Sequence, residues 1–219
     1  MSNSPKKAAI FPAKSEIRRD VIHDRFVIIA SGRSKRPHDV PKEEEDRPLS
    51  NPEDSPFYRE VKNPSQPALY QVGPDKWWEI KVIKNKFPFL SPDNSKAYGH
   101  QEVIIETPHP RKEFAEFSEG HIYRILLAYV ARTKALAEDK KIKYIIIFKN
   151  HGGKAGASLV HAHSQIMAAG FVPDHIVNKL ARARKYQITH GVSYYHKLAK
   201  DEIKGPRKIY SDKYVSAFC

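Results

Sequence analysis

Between residues 118 and 139 the apolar positions repeat with the period of a helix, the strongest such signal in the chain. Ile122, Ile125, Leu126, Tyr129 and Val130 fall at i, i+3, i+4, i+7 and i+8. That spacing aligns them as one apolar stripe and predicts a helix over 118–139 laid against a core. The other apolar segments are short and β-branched. They are Arg25–Ala30, residues 77–84 with Trp78, Ile80 and Val82 alternating, Glu102–Glu106 around Val103–Ile105, Tyr144–Phe148, and Ser158–Ala168. Each reads as a strand. Tyr144-Ile-Ile-Ile-Phe148 is apolar without interruption, which suits the centre of a sheet. A further helix is expected over 174–186, with Pro173 near its start. Residues 38–66 are rich in Pro, Asp, Glu, Ser and Asn and read as a long polar loop. Connections short enough for antiparallel neighbours make the class α+β, an antiparallel sheet packed with helices.

A chain of 219 residues allows one large domain, or one and part of another. The expected organisation is a disordered tail over 1–14, a main domain over 15–190, and a linker with one strand over 191–219. The sequence holds no apolar run of membrane-spanning length. Its N-terminus has no apolar core of signal-peptide length, so a cytoplasmic protein is expected. Cys219 is the sole cysteine, which excludes an internal disulfide and a cysteine-based metal knuckle. The net charge of +13 admits two accounts, a phosphorylated or polyanionic partner and solvated basic faces such as Lys140–Lys143 and Arg182–Lys185. The charge is scattered and not interleaved with aromatics, which argues against nucleic acid.

The chemistry concentrates in Phe148-Lys-Asn-His-Gly-Gly-Lys-Ala-Gly-Ala-Ser-Leu-Val-His-Ala-His-Ser-Gln-Ile166. With a side-chain period of two, His161, His163 and Gln165 would share one face of a strand, each about 7 Å from the next. Just before them Gly152, Gly153, Gly156, Ala157 and Ser158 are all small, and small residues let backbone N–H groups approach an anion. An imidazole beside a phosphate nest suits attack on phosphorus, and the Gln165 amide could stabilise developing charge. Spacing alone leaves three readings open: a nucleophile, a metal-binding H-x-H pair, and a structural role.

This segment resembles the active-site motif of the galactose-1-phosphate uridylyltransferase family, a branch of the histidine-triad superfamily, and especially its ADP-glucose phosphorylase-like branch. Arg18–Ala30 followed by Arg33-Ser-Lys-Arg-Pro37 resembles the family's N-terminal signature. Val82–Pro88 and Gly99–His109 resemble two further nucleotide-contacting segments. The resemblance runs in order over roughly 17–218. It implies a histidine-triad-like nucleotidyl transferase domain and a two-step transfer. His163 attacks the α-phosphorus of a nucleoside diphosphate sugar, a sugar 1-phosphate leaves, and a second phosphorylated acceptor takes the nucleotide. It implies that Gln165 is the transition-state amide and that Asn150, Gly156, Ala157 and Ser158 contact nucleotide and phosphate. Asn85 and Lys86 match ribose and base contacts, although the second position is often acidic in the family. Arg33 and Arg36 match phosphate-binding arginines, and guanidinium forks suit that task. In the family this turn can reach across a dimer, so a homodimer is expected. The substrates expected are UDP-glucose and galactose 1-phosphate. An ADP-sugar or dinucleoside polyphosphate phosphorylase is the alternative, favoured by His-Ala-His-Ser-Gln in place of the more common His-Pro-His-Gly-Gln. A non-catalytic nucleotide- or RNA-binding module is a third reading.

Two departures qualify the resemblance. Many members hold a structural zinc with a C-x-x-C pair and two histidines. Here the tetrapeptide is Ser55-Pro-Phe-Tyr58, so only His109 and His161 match ligands and zinc is disfavoured. Phe57 and Tyr58 are expected to supply packing in its place, and His161 to keep an orienting role. The family also carries two similar units in one chain, whereas this sequence stops at Lys213–Cys219, which resembles the first strand of the second unit.

Overall fold

The computed structural model describes residues 15–20, 25–30, 55–62, 66–151, 159 and 161–219. They divide into two compact units, one ending at Phe171 and the other running from Val172 to Cys219. The expected tail over 1–14, the basic turn at 31–37 and most of the polar loop over 38–66 lie outside the described residues.

In the first unit, strands β1 (Ser15–Asp20) and β2 (Arg25–Ala30) form an antiparallel pair with Ser15 opposite Ala30. Helix α1 (Pro56–Lys62) follows, then β3 (Tyr70–Val72), β4 (Ile80–Lys84) and β5 (Gly99–Ile105). Helix α2 (Glu119–Ala137) leads to β6 (Tyr144–Phe148) and β7 (His163–Ala169). Strands β3 to β7 make one antiparallel sheet in the order β3-β4-β5-β7-β6. The α+β class read from the sequence is therefore the observed one. Helix α2 starts where Ser118 accepts a hydrogen bond from the His121 amide, satisfying an N-terminal donor.

Alternation along the strands gives the sheet two different faces. One carries Ile80, Val82, Ile104, Ile166 and Ala168, packed with Ile125, Ala128 and Leu136 of α2. The other carries Ile83, Val103 and Ile105, packed with Phe57 and Trp78. The β1–β2 pair belongs to a smaller cluster in which Ile17 and Ile28 pack against Leu90, Ala97 and Ala169.

Four expectations need correction. Tyr144–Phe148 was expected at the centre of the sheet. It forms β6 with those bounds, but it lies at an edge of the described sheet and every residue is half-buried. The stripe on α2 is rotated. Ile122, Ile125 and Tyr129 face the core, whereas Leu126 and Val130 are exposed, because Ala128 and Arg132 complete the buried arc instead. The polar stretch 38–66 contains the short helix α1, and the strand expected over 158–168 begins only at His163.

In the second unit, helix α3 (Asp174–His190) ends at Gly191, whose φ of 71° closes the helix with a bond from its amide to the Gln187 carbonyl. Helix α4 (Tyr194–Lys204) and a hairpin of β8 (Lys208–Ser211) and β9 (Ser216–Phe218) follow. The strand expected near the chain end is β9, and its partner is local. Among the described residues, no helix is long and apolar enough to cross a membrane.

Candidate active site

The strand register lays out the face of the sheet that bears His163. One row reads Lys81–Ile105–His163 and the next reads Ile83–Val103–Gln165–Phe148. The third reads Gln101–Met167–Ile146, with the Asn85 amide bonded to the Gln101 carbonyl at 2.9 Å. His163 and Gln165 are thus adjacent on one face, both buried, beside an apolar floor of Ile83, Val103 and Phe148. Asn85 holds its own turn, its Oδ1 accepting the Phe87 amide at 2.9 Å. Lys86 is exposed, and Asn150 is partly buried just beyond β6. Arg33, Arg36, Gly156, Ala157 and Ser158 lie outside the described residues.

Two hydrogen bonds fix the imidazoles. A carbonyl oxygen only accepts, so the 2.8 Å contact of His163 Nδ1 with the His161 carbonyl places the proton on Nδ1 and the lone pair on Nε2. By the same argument His161 Nε2 donates to the Thr107 carbonyl at 2.6 Å, and its Nδ1 accepts from the Ser55 hydroxyl at 3.1 Å. Burial, aided by the nearby His163, His109 and Lys149, outweighs the bond to Thr107 and lowers the pKa of His161 to about 4. His161 is therefore neutral at physiological pH. The Phe57 ring stands edge-on to both imidazoles, with centroids 5.7 Å from His161 and 5.0 Å from His163.

That arrangement also tests the zinc reading. Ser55 and Tyr58 offer no thiolate, His109 is exposed, and both ring nitrogens of His161 are already hydrogen-bonded. Among the described residues no cluster of three His, Cys, Asp or Glu could hold a metal. The donor set does not fit a tetrahedral zinc. Phe57 supplies edge packing to both imidazoles and Ser55 a hydrogen bond to His161.

Several residues of the site gave little sign in the sequence. Lys81 is buried on the His163 face, roughly 10 Å across two strands from the imidazole. Its position within an alternating segment read as an exposed polar residue. Glu106, Lys149 and Ser164 lie on the opposite face of the sheet from the His163 ring. The first two resemble charges that merely close apolar strands.

Known proteins resemble the chain in sequence and in fold. A family profile described as "Domain of unknown function (DUF4931) N-terminal domain" matches residues 75–171. The ADP-glucose phosphorylase of Arabidopsis thaliana is 32% identical over 186 residues, covering 78% of this chain and 53% of that protein. A galactose-1-phosphate uridylyltransferase of Thermotoga maritima is 30% identical over 172 residues, covering 78% and 52%. The crystal structure of an ADP-glucose phosphorylase from Arabidopsis thaliana with bound ADP-glucose superposes with a TM-score of 0.65 at 28% identity, covering 93% of this chain and 63% of that one. The chain thus spans about half the length of the curated relatives it matches. Motifs, fold and relatives converge: over the length it spans, the chain fits the galactose-1-phosphate uridylyltransferase family with its ADP-glucose phosphorylase-like branch.

Proposed function

We propose that this chain carries out nucleotidyl transfer from a nucleoside diphosphate hexose through a covalent nucleotidyl-histidine on His163. The observation that carries the reading is the Nδ1–H bond from His163 to the His161 carbonyl, which leaves the Nε2 lone pair as the reactive one. A bond forms between Nε2 and the α-phosphorus, and the bond from that phosphorus to the bridging oxygen breaks. The departing sugar 1-phosphate takes the electron pair. The ring becomes cationic, and its bond to the carbonyl strengthens as charge develops. Gln165, one position along the same face, donates its amide to a phosphoryl oxygen. A phosphorylated acceptor reverses these events in the second step.

The simplest substrate pair is UDP-glucose and galactose 1-phosphate. A second reading uses ADP-glucose with phosphate as acceptor. It is supported by the 32% identity to the Arabidopsis ADP-glucose phosphorylase and by serine at position 164. The working form in this reading is a cytoplasmic homodimer, with Arg33 and Arg36 serving phosphate binding. Intact-protein mass spectrometry after mixing with UDP-glucose or ADP-glucose tests the chemistry. A gain of UMP or AMP, absent in His163→Ala, is expected and identifies the base. A folded protein that binds nucleotide yet forms neither adduct would refute the transfer and leave a binding module.

A further inference from the structure

Behind β7, on the face that otherwise packs Ile104, Ile125, Ala128 and Ile166, lies a set of buried polar groups. The Glu106 carboxylate is fully buried. Its Oε2 accepts from Lys149 Nζ at 2.5 Å, and its Oε1 accepts from the Ser164 hydroxyl and from Tyr129 at 3.3 Å. The Tyr129 and Ser164 hydroxyls also stand 2.6 Å apart, and with one proton each they fill two of these three contacts at a time. These contacts bracket one residue. Glu106 N–H donates to the carbonyl of Ala162 at 3.1 Å, before His163. The Glu106 carboxylate holds Ser164, directly after it. Lys149 Nζ reaches the His163 carbonyl itself, at 3.5 Å.

A buried ion pair is a poor way to stabilise a core, because desolvation consumes most of the attraction and apolar residues of similar volume would serve as well or better. What a fully satisfied polar network supplies is a single arrangement of the groups it joins. A polar break in an apolar face is therefore expected where geometry must be specified. Here the specified geometry is the backbone carrying the imidazole.

We infer that Glu106, with Lys149, Ser164 and Tyr129, forms a positioning device that fixes the His163 backbone from behind the strand and so aims Nε2. This rests on the reading of His163 as the nucleophile. None of the four touches the reacting atoms. They act by holding Ala162, His163 and Ser164 in one register relative to β5, β6 and α2.

The test compares wild type with Glu106→Gln, Ser164→Ala and the milder Tyr129→Phe. Three quantities are measured: the single-turnover rate of adduct formation, the affinity for ADP and UDP, and the nitrogen resonances of the His163 ring in 15N-histidine-labelled protein. Glu106→Gln and Ser164→Ala are expected to slow adduct formation about 10- to 100-fold, the range for a small misplacement of a reacting group. Nucleotide affinity should stay within about threefold. The ring signal of wild-type His163 should report one tautomer, protonated at Nδ1, and become mixed in the variants. Folded variants with wild-type rates, or rates reduced only by the unfolded fraction, would overturn the inference. Tyr129→Phe and Ser164→Ala keep the Glu106–Lys149 pair, so they decide the matter if Glu106→Gln does not fold. If wild type forms no adduct, the transfer reading fails by itself. The ring signals then decide positioning alone: mixed tautomers in the variants uphold it, and unchanged signals overturn it.

Discussion

His163 donates its Nδ1 proton to the backbone carbonyl of His161 at 2.8 Å, so the residue two before His163 selects the tautomer of its ring without using its own side chain. The His161 ring is engaged elsewhere, between Ser55 and Thr107. One histidine thus presents a lone pair while the other anchors the lead-in to β7.

Replacing His163 by alanine should abolish the covalent adduct and lower turnover by at least about a thousandfold, the usual scale for removing a nucleophile. The fold should survive, because the imidazole sits at the front of the sheet and truncation of one buried polar side chain costs about 1–2 kcal/mol. Thermal unfolding measured beside the mass spectrum checks both halves. An adduct persisting in a folded His163→Ala would transfer the chemistry to another residue.

The depressed pKa of His161 predicts an acid-sensitive stability. Its folded pKa is about 4, against an ordinary value of 6.5. Above pH 6.5 the ring is neutral in both states and the contribution is fully present. As pH falls from 6.5 towards 4, the unfolded chain binds a proton that the folded one does not, and the contribution is lost. The total is on the order of 3 kcal/mol. Urea unfolding of wild type and His161→Gln between pH 7.5 and 4.5 isolates the term from that of the carboxylates. Wild type should lose stability faster than the variant across this window, and parallel curves would contradict a buried neutral imidazole.

What the sequence disclosed about this site follows the range of its signals. A side-chain period of two places His163 and Gln165 on one face, because alternation is local. The helix over 119–137 was legible for the same reason. Placement in the sheet was not. The apolar run of β6 reads as central because it is apolar, yet the strand order makes it an edge, and no local pattern encodes order. The bond from Ser55 to His161 joins residues 106 apart, and α1, which brings Phe57 to both imidazoles, is a seven-residue helix in a polar, proline-rich stretch. Glu106 and Lys149 each looked like a charge ending a strand, and only their meeting at 2.5 Å in the core gives them a role.

Helix α2 is fastened to the sheet by a second buried pair. Arg132 grips Glu102 through Nε at 2.8 Å and Nη2 at 2.7 Å, and its Nη1 reaches the Leu69 carbonyl at 3.3 Å. Both side chains are largely buried. Arg132→Met would leave the Glu102 carboxylate uncompensated and should cost about 3–5 kcal/mol. Adding Glu102→Gln should recover part of that loss, a coupling of about 1–3 kcal/mol in a double-mutant cycle. Denaturant unfolding of the four proteins measures it. Additive losses would mean that the pair is not coupled in solution.

Gly99 offers the sharpest steric test, because the start of β5 lies close against β7. A Cβ at this position would stand 2.3 Å from the Ala168 carbonyl oxygen and 3.0 Å from Leu90 Cδ1. The first atom is backbone in a paired strand, so relief requires β5 and β7 to part where Gly99 faces Ala169. Leu90 is buried against Ala97 and Ala169 and has little room to yield. Gly99→Ala should therefore destabilise by about 2–4 kcal/mol, more than the usual cost of overpacking because backbone must move. Gly170 is the control, since its nearest neighbour to a new Cβ is at an ordinary 3.4 Å and Gly170→Ala should change stability by less than about 0.5 kcal/mol. Strand β7 carries His163 at its other end, six residues from Ala169. If the sheet is rigid along β7, Gly99→Ala should also slow adduct formation in the fraction that remains folded. If the disturbance stays local, stability falls while the rate per folded molecule is unchanged. Single-turnover mass spectrometry on the folded population separates the two.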